Sequence, residues 1–354
     1  MLNKKIFNFS VFLLIIIFLL SLFSLDVKAK GGLLNDPASA FYGTDGNVYS
    51  SDFSSDGKTV FIAGEFENVG ENVGAFVGVY KDRSYPKNNQ PLIPGTVYTS
   101  ISDTNGGYYV GGSFSFTYNS TAINNLVHIA QDGSIDTAWS PSPDGEVRAL
   151  LFYDGGIIVG GDFDNIGGQA IANLAYLDTS SGAADPTFNF SVTGNVNTLL
   201  WPGSDYLYVG GMIRTPEPTV RTNLMEIDLV NNQITSRNFP VSKAGDGGNG
   251  AVNDMALDGT NLYIGGSFSE YGTLPNIVNG KLVKVNLTDN SYGAAPLSIN
   301  GTVNSIEFSG DYIYVGGDFS QVGLYTDINA MAVFNISTQS FEYEKNFNLP
   351  EASV

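Results

Sequence analysis

Side chains that carry oxygen recur in this chain just after an apolar run that ends in glycine. Glu65, Glu67 and Glu71 follow one such run, Asp162, Asp164, Asn165 and Gln169 another, and Glu270, Asp318 and Gln321 two more. Asp45, Asp144 and Glu146 stand ahead of others. Gathered on one surface, such groups can surround a calcium ion with carboxylate and carbonyl oxygens. They can also accept hydrogen bonds from glycan hydroxyls, or act in pairs as acid and base on a glycosidic bond. Glu65, Glu67, Asp162, Asp164, Asn165 and Asp318 are the binding candidates. Asp162 with Asp318 or Glu65 is the candidate catalytic pair. The spacing Asp162-x-Asp164 lacks the later ligands of an EF-type loop, so calcium is the one cofactor with any argument, and no metal ligand is assigned.

Other chemistries have less to stand on. There is no cysteine, which excludes thiol catalysis, and His128 is the single histidine. A Ser-His-Asp or zinc site built on His128 needs partners that no spacing announces, and as an outward-facing strand residue it needs no role. Gly245-Asp246-Gly247-Gly248-Asn249-Gly250 spells G-x-G-x-x-G. A dinucleotide site requires those glycines to open a helix, whereas a strand-like run follows here, so the stretch reads as an insertion. Asn119, Asn189, Asn286 and Asn335 begin Asn-x-Ser/Thr triplets, which matter as glycosylation acceptors only in a eukaryotic host. No catalytic residue is assigned, and the chain reads as a binder rather than an enzyme.

The elements that must position these residues are repeats. The apolar run with its glycine appears six times, with second glycines at Gly64, Gly112, Gly161, Gly211, Gly266 and Gly317, spaced 48, 49, 50, 55 and 51 residues apart. A period near fifty over most of the length marks a repeat architecture. Each unit is too small to hide its own apolar face and must stack on its neighbours.

Fourteen to sixteen residues before each of these glycines stands Gly-x-Val, as in Gly145-Glu146-Val147 and Gly301-Thr302-Val303. The polar–apolar alternation that follows predicts a first strand. Asp154-Gly155 and Asp258-Gly259 supply tight hairpin turns into a second strand. Ala172 to Asp178 and its counterparts predict a third strand, and Asp136 to Trp139, Asp185 to Phe188 and Glu344 to Phe347 a weaker fourth. The recurring Phe66, Phe114, Phe163, Phe268 and Phe319 read as plugs between units, and Trp139 and Trp201 as strand aromatics.

Four antiparallel strands per fifty residues, with no helical period, is one blade of a β-propeller. The expected fold is all-β, a propeller of six four-stranded blades, or of seven with the last incomplete. Asp36 to Phe41 is the seventh fourth-strand segment that leaves this open. The pattern G-x-V…G-G-[DS]-F…[NA]-L…D…D-x-x-[FW] resembles the delta-60 repeat propellers of exported bacterial proteins. More distantly it is similar to Kelch-type propellers and fungal polarity-marker propellers. The resemblance spans residues 36–354 and implies a propeller and export, but no catalytic residue.

The first 29 residues read as a signal peptide: Lys4 and Lys5, an apolar run from Val11 to Leu25, then Val27-Lys28-Ala29. An uncleaved anchor is the rival reading. Residues 30–354 form the propeller domain, placed outside the cytoplasm, secreted or on the cell surface. The formal net charge is −19, and losing the leader deepens it by two. Such a surface repels nucleic acid and anionic lipid. The expected function is a binding or scaffold module for a surface protein or a glycan. The alternatives are a carbohydrate-active enzyme using loop carboxylates, and a purely structural or adhesive domain.

Overall fold

The computed structural model describes residues 47–53, 59–66, 68–69, 71–72, 75–80, 91–242, 250–273, 276–295, 297–326, 328 and 331–341. The expected signal peptide, the segment Asp36 to Phe41, Glu67, Gly245 to Asn249 and the region around Phe347 lie outside these residues. Contacts divide the chain into two compact units, Met1–Thr187 and Phe188–Val354.

Among the described residues, unit 1 holds three three-stranded antiparallel sheets in chain order, with a two-residue ladder of Asn68–Val69 and Glu71–Asn72 besides. Sheet 1 pairs Asn47–Phe53, Thr59–Glu65 and Phe76–Tyr80; sheet 2 pairs Thr96–Ser102, Tyr108–Tyr118 and Thr121–Ile129; sheet 3 pairs Glu146–Tyr153, Gly156–Asp162 and Leu174–Asp178. Unit 2 holds three four-stranded sheets. Their strands are Thr193–Leu200, Tyr206–Arg214, Thr222–Asp228 and Gln233–Ile234 in sheet 4, then Val252–Asp258, Asn261–Gly266, Leu282–Asn286 and Tyr292–Ala294 in sheet 5. Sheet 6 has Thr302–Ser309, Tyr312–Asp318, Met331–Asn335 and Ser340–Phe341. Each numbered sheet of unit 2 has a short fourth strand, none of them at an expected Asp-x-x-aromatic segment, while in sheets 2 and 3 the fourth strand is reduced to the single bridges Ile129↔Ile135 and Leu177↔Ala184, just ahead of the expected Asp136 to Trp139 and Asp185 to Phe188. The physical reason is local. Asp136 Oδ1 accepts from the backbone of Ala138 and Trp139, and Asp185 Oδ1 from that of Thr187, which bends the chain out of the extended form.

The hairpin between the first two strands of sheet 3 turns on Asp154 and Gly155, both at positive φ (46° and 77°), as a two-residue turn of this kind demands. Further along, Val147 and Ala149 face successive second-strand residues, so the residue between them bulges out. The same bulge follows the valine of Gly-x-Val in all six sheets. It explains the glycine pair. A methyl on Gly161 would strike the carbonyl oxygen of Glu146, and one on Gly111 the side chain of Val147 in the next sheet.

The cores lie between sheets. Ala63 and Phe76 of sheet 1 pack with Val97, Tyr108 and Phe114 of sheet 2. Tyr109 and Leu126 of sheet 2 pack with Val147, Val159 and Phe163 of sheet 3. Unit 2 repeats the scheme from sheet 4 to 5 and from 5 to 6. Phe66, Phe114, Phe163, Phe268 and Phe319 are all buried, each contributing roughly 1.5–3 kcal/mol of apolar burial. Trp139 is buried too, its indole N–H donating to Asp178 O at 3.1 Å, whereas Trp201 is exposed.

A candidate ligand-binding patch on the first-strand bulges

The bulge lifts one side chain per sheet out of the ladder: Tyr49, Tyr98, Arg148, Asn197, Asn253 and Asn304. Each stands directly after the valine of Gly-x-Val, and the residue types differ between the units: two Tyr and an Arg in unit 1, three Asn in unit 2.

In unit 1 these residues gather an aromatic and charged patch. The rings of Tyr49 and Tyr98 lie 5.7 Å apart, and the Arg148 guanidinium sits 5.1 Å from the centre of the Tyr98 ring. Arg148 forms an ion pair with Glu146. The Tyr49 hydroxyl donates to Glu65 at 2.9 Å. Burial pushes the phenol of Tyr98 up, and the charges of Glu146 and Glu65 add to this. Burial likewise raises Tyr49, with Glu65 adding to it. Both tyrosines therefore stay neutral hydroxyl donors. Asp162 stands directly across the ladder from Glu146. Of the residues singled out from sequence, Glu65 and Glu146 thus meet the bulge residues of unit 1, and Asp162 stands beside Glu146. Glu67 lies outside the described residues.

Asp164 and Asn165 go elsewhere. Their backbone N–H groups both donate to Asp144 Oδ1 at 2.9 Å, and the Asn165 amide donates to Asp144 Oδ2 at 2.6 Å. Burial opposes ionisation of Asp144, but these hydrogen bonds outweigh it and hold the carboxyl below its usual range. Asn300 does the same work in sheet 6, accepting from the backbone of Ser320 and Gln321. In sheets 3 and 6 this closes the loop between second and third strands onto the segment entering the first. Among the described residues no three carboxylate or histidine side chains are placed to hold a metal ion.

In unit 2 the bulge residues form an amide ladder. Asn197 donates towards Asn253 Oδ1 at 3.5 Å and to Val252 O at 3.2 Å, Asn253 donates to Asn304 Oδ1 at 3.2 Å, and Asn304 to Asp318 at 3.3 Å. Asp318 therefore ends a structural ladder. One position further along the first strands lies Asp254. It accepts from Ile306 N at 2.7 Å, from Met255 N at 2.8 Å and from the Thr198 hydroxyl at 3.3 Å, which joins three sheets. Burial pushes its carboxyl up to about 7, the nearby Glu307 charge adds to this, and the hydrogen bonds oppose it. Glu307 is itself raised by burial. Asp162 and Asp318, the expected catalytic pair, belong to different units; Glu65 and Asp162 share unit 1.

His128 is not the bland strand residue expected. Its ring stacks on Tyr109 at 4.4 Å, with Nε2 3.0 Å from Asp103 and Nδ1 3.3 Å from Asp136. Both partners come from turns, so spacing along one strand does not reveal them. The Asn-x-Ser/Thr triplets at Asn189, Asn286 and Asn335 have a local explanation: each side-chain carbonyl accepts from the backbone N–H two residues on, the usual turn role of Asn.

Comparison with known proteins fits this architecture. Residues 154–188 match the family described as a domain of unknown function (DUF5122) beta-propeller. The chain is a β-propeller. The solved structure of Saccharomyces cerevisiae Sqt1 resembles the propeller with a TM-score of 0.51 at 12% identity, over 86% of this chain and 75% of that one. The computationally designed Ika8 protein (TM-score 0.45, 12% identity, 83% of this chain and 85% of that one) is also similar. So is the dihydro-heme d1 dehydrogenase NirN in complex with DHE (TM-score 0.47, 11% identity, 84% and 56%). No curated protein matches the propeller. Among its described residues, no helix is long and apolar enough to cross a membrane.

Proposed function

We propose that this propeller is an exported recognition module that binds a glycan at the unit 1 patch. The observation that carries the reading is the meeting of two neighbouring tyrosine rings with Glu65, Glu146 and Arg148 on the first-strand bulges. Aromatic faces accept the C–H face of a sugar, and charged groups at the rim bond its hydroxyls with charge-assisted strength. The formal net charge of −19 argues against nucleic acid and anionic lipid as partners. Calorimetric titration of the purified protein with glycans found on an array tests the reading. Tyr98→Ala should weaken binding at least about tenfold, in line with the loss of an aromatic contact. A folded protein that binds no glycan would leave a structural or adhesive role. Export predicts that the protein recovered outside the cell begins near Lys30; N-terminal sequencing decides this.

A second reading rests on Asp254 and Glu307. A carboxyl held near pH 7 suits general acid catalysis, and Glu307 is the adjacent candidate base. Release of reducing ends from a bound glycan, abolished in Asp254→Asn, would support an enzyme.

A further inference from the structure

We propose that the unit 1 patch is specific for a glycan bearing free amino groups, a polymer of hexosamine whose ammonium groups enter between the tyrosines and the carboxylates. This rests on the glycan reading and names the class of sugar.

Charge balance carries the argument. Glu65 bonds the Tyr49 hydroxyl and Glu146 pairs with Arg148, the one cation of the patch among the described residues, which leaves an excess of negative charge beside two tyrosine faces. Like charges directly opposite on a ladder destabilise a sheet, and Glu146 faces Asp162 in that way. A neutral glycan can donate hydrogen bonds to these carboxylates but leaves their charge uncompensated, whereas a bound cation relieves it. Arg148 already shows what the patch accepts. Its guanidinium lies over the Tyr98 ring and pairs with Glu146, which is cation–π contact combined with a charge-assisted hydrogen bond. Its Nε is buried without a hydrogen-bond partner, so the arginine fits the place incompletely. An ammonium on a sugar ring adds what Arg148 lacks, a flat C–H face for Tyr49, whose ring remains exposed.

The test is titration of the purified protein at pH 6, where the amine is charged, with tetramers of glucosamine, N-acetylglucosamine and glucose. Glucosamine tetramer should bind about tenfold more tightly than either neutral tetramer, the size expected for one cation–π contact and one exposed charge pair. The preference should shrink as salt rises. Glu146→Gln should reduce it, and Tyr98→Phe should keep it. Arg148→Gln should strengthen glucosamine binding, because a resident competitor is removed. Equal binding of all three tetramers, or tighter binding of a neutral one, would overturn amine specificity and leave the glycan reading standing. No binding of any tetramer or array glycan, by protein that unfolds cooperatively, would overturn both. A calcium-induced rise in melting temperature with loss of glucosamine binding would assign the carboxylates to a metal and overturn the proposal.

Discussion

His128 shows how much a single side chain in this fold depends on residues distant in sequence. Both ring nitrogens face carboxylates, Asp103 from one turn and Asp136 from another, an arrangement satisfied in full when both nitrogens carry protons. His128→Gln keeps a polar group but cannot span both partners. It should cost about 1–3 kcal/mol, the range for hydrogen bonds to charged groups, read as a lower denaturant midpoint with an unchanged m-value. Asn173 is a second case. It sits at φ 65°, and its side chain accepts from Phe163 N at 3.1 Å. Asn173→Ala should lose both the relaxed backbone and that bond, about 2–4 kcal/mol together. Asn173→Gly should recover the backbone share alone, so equal losses in the two variants would refute this division. The Asn-Leu pair is visible in the repeat, but what its amide does is not, because the acceptor's partner lies across a loop.

At the scale of the element, the glycine pair and the bulge form one device. Position Gly111 faces the next sheet, and a methyl there meets Val147; position Gly161 faces the bulge carbonyl of Glu146. Gly111→Ala should therefore behave as overpacking, costing about 1–3 kcal/mol. Gly161→Ala should in addition displace the bulge that carries Arg148, weakening the patch in unit 1. Gly155, at φ 77° with nothing near it, is the control: Gly155→Ala should cost only backbone strain, on the order of 1 kcal/mol. Thermal unfolding of the three variants orders them, and a glycan titration of Gly161→Ala separates loss of fold from loss of patch. The glycines are legible as a motif. That one serves the next sheet and the other its own bulge follows only from the register.

For the whole molecule, ionisation sets a pH window. Asp178, brought down to about 2 by the hydroxyls and N–H groups of Ser180 and Ser181, and Asp185, lowered by Thr187, are more acidic folded than unfolded. They contribute stability that is present above the ordinary carboxylate range and lost as pH falls towards 2. Asp254 works in the opposite sense. Raised to about 7 by burial, it holds its proton more tightly when folded, so stability declines as pH rises from about 4 to about 7. Melting temperature should therefore peak in mildly acidic buffer. Asp254→Asn should flatten the decline on the alkaline side, and an unchanged pH profile would remove Asp254 as its source. The sequence by itself determined the period, the order of strands, the hairpin turns and the buried phenylalanines, since each is a local pattern repeated every fifty residues or so. Only the tertiary structure decided which acids share a surface. Glu65 and Glu146 join the tyrosines of neighbouring sheets, while Asp164 and Asn165 are drawn into their own loop by Asp144. The physical reason is that a bulge turns one side chain per strand out of the alternation, and its neighbours then come from other repeats, whose approach no spacing within one repeat records.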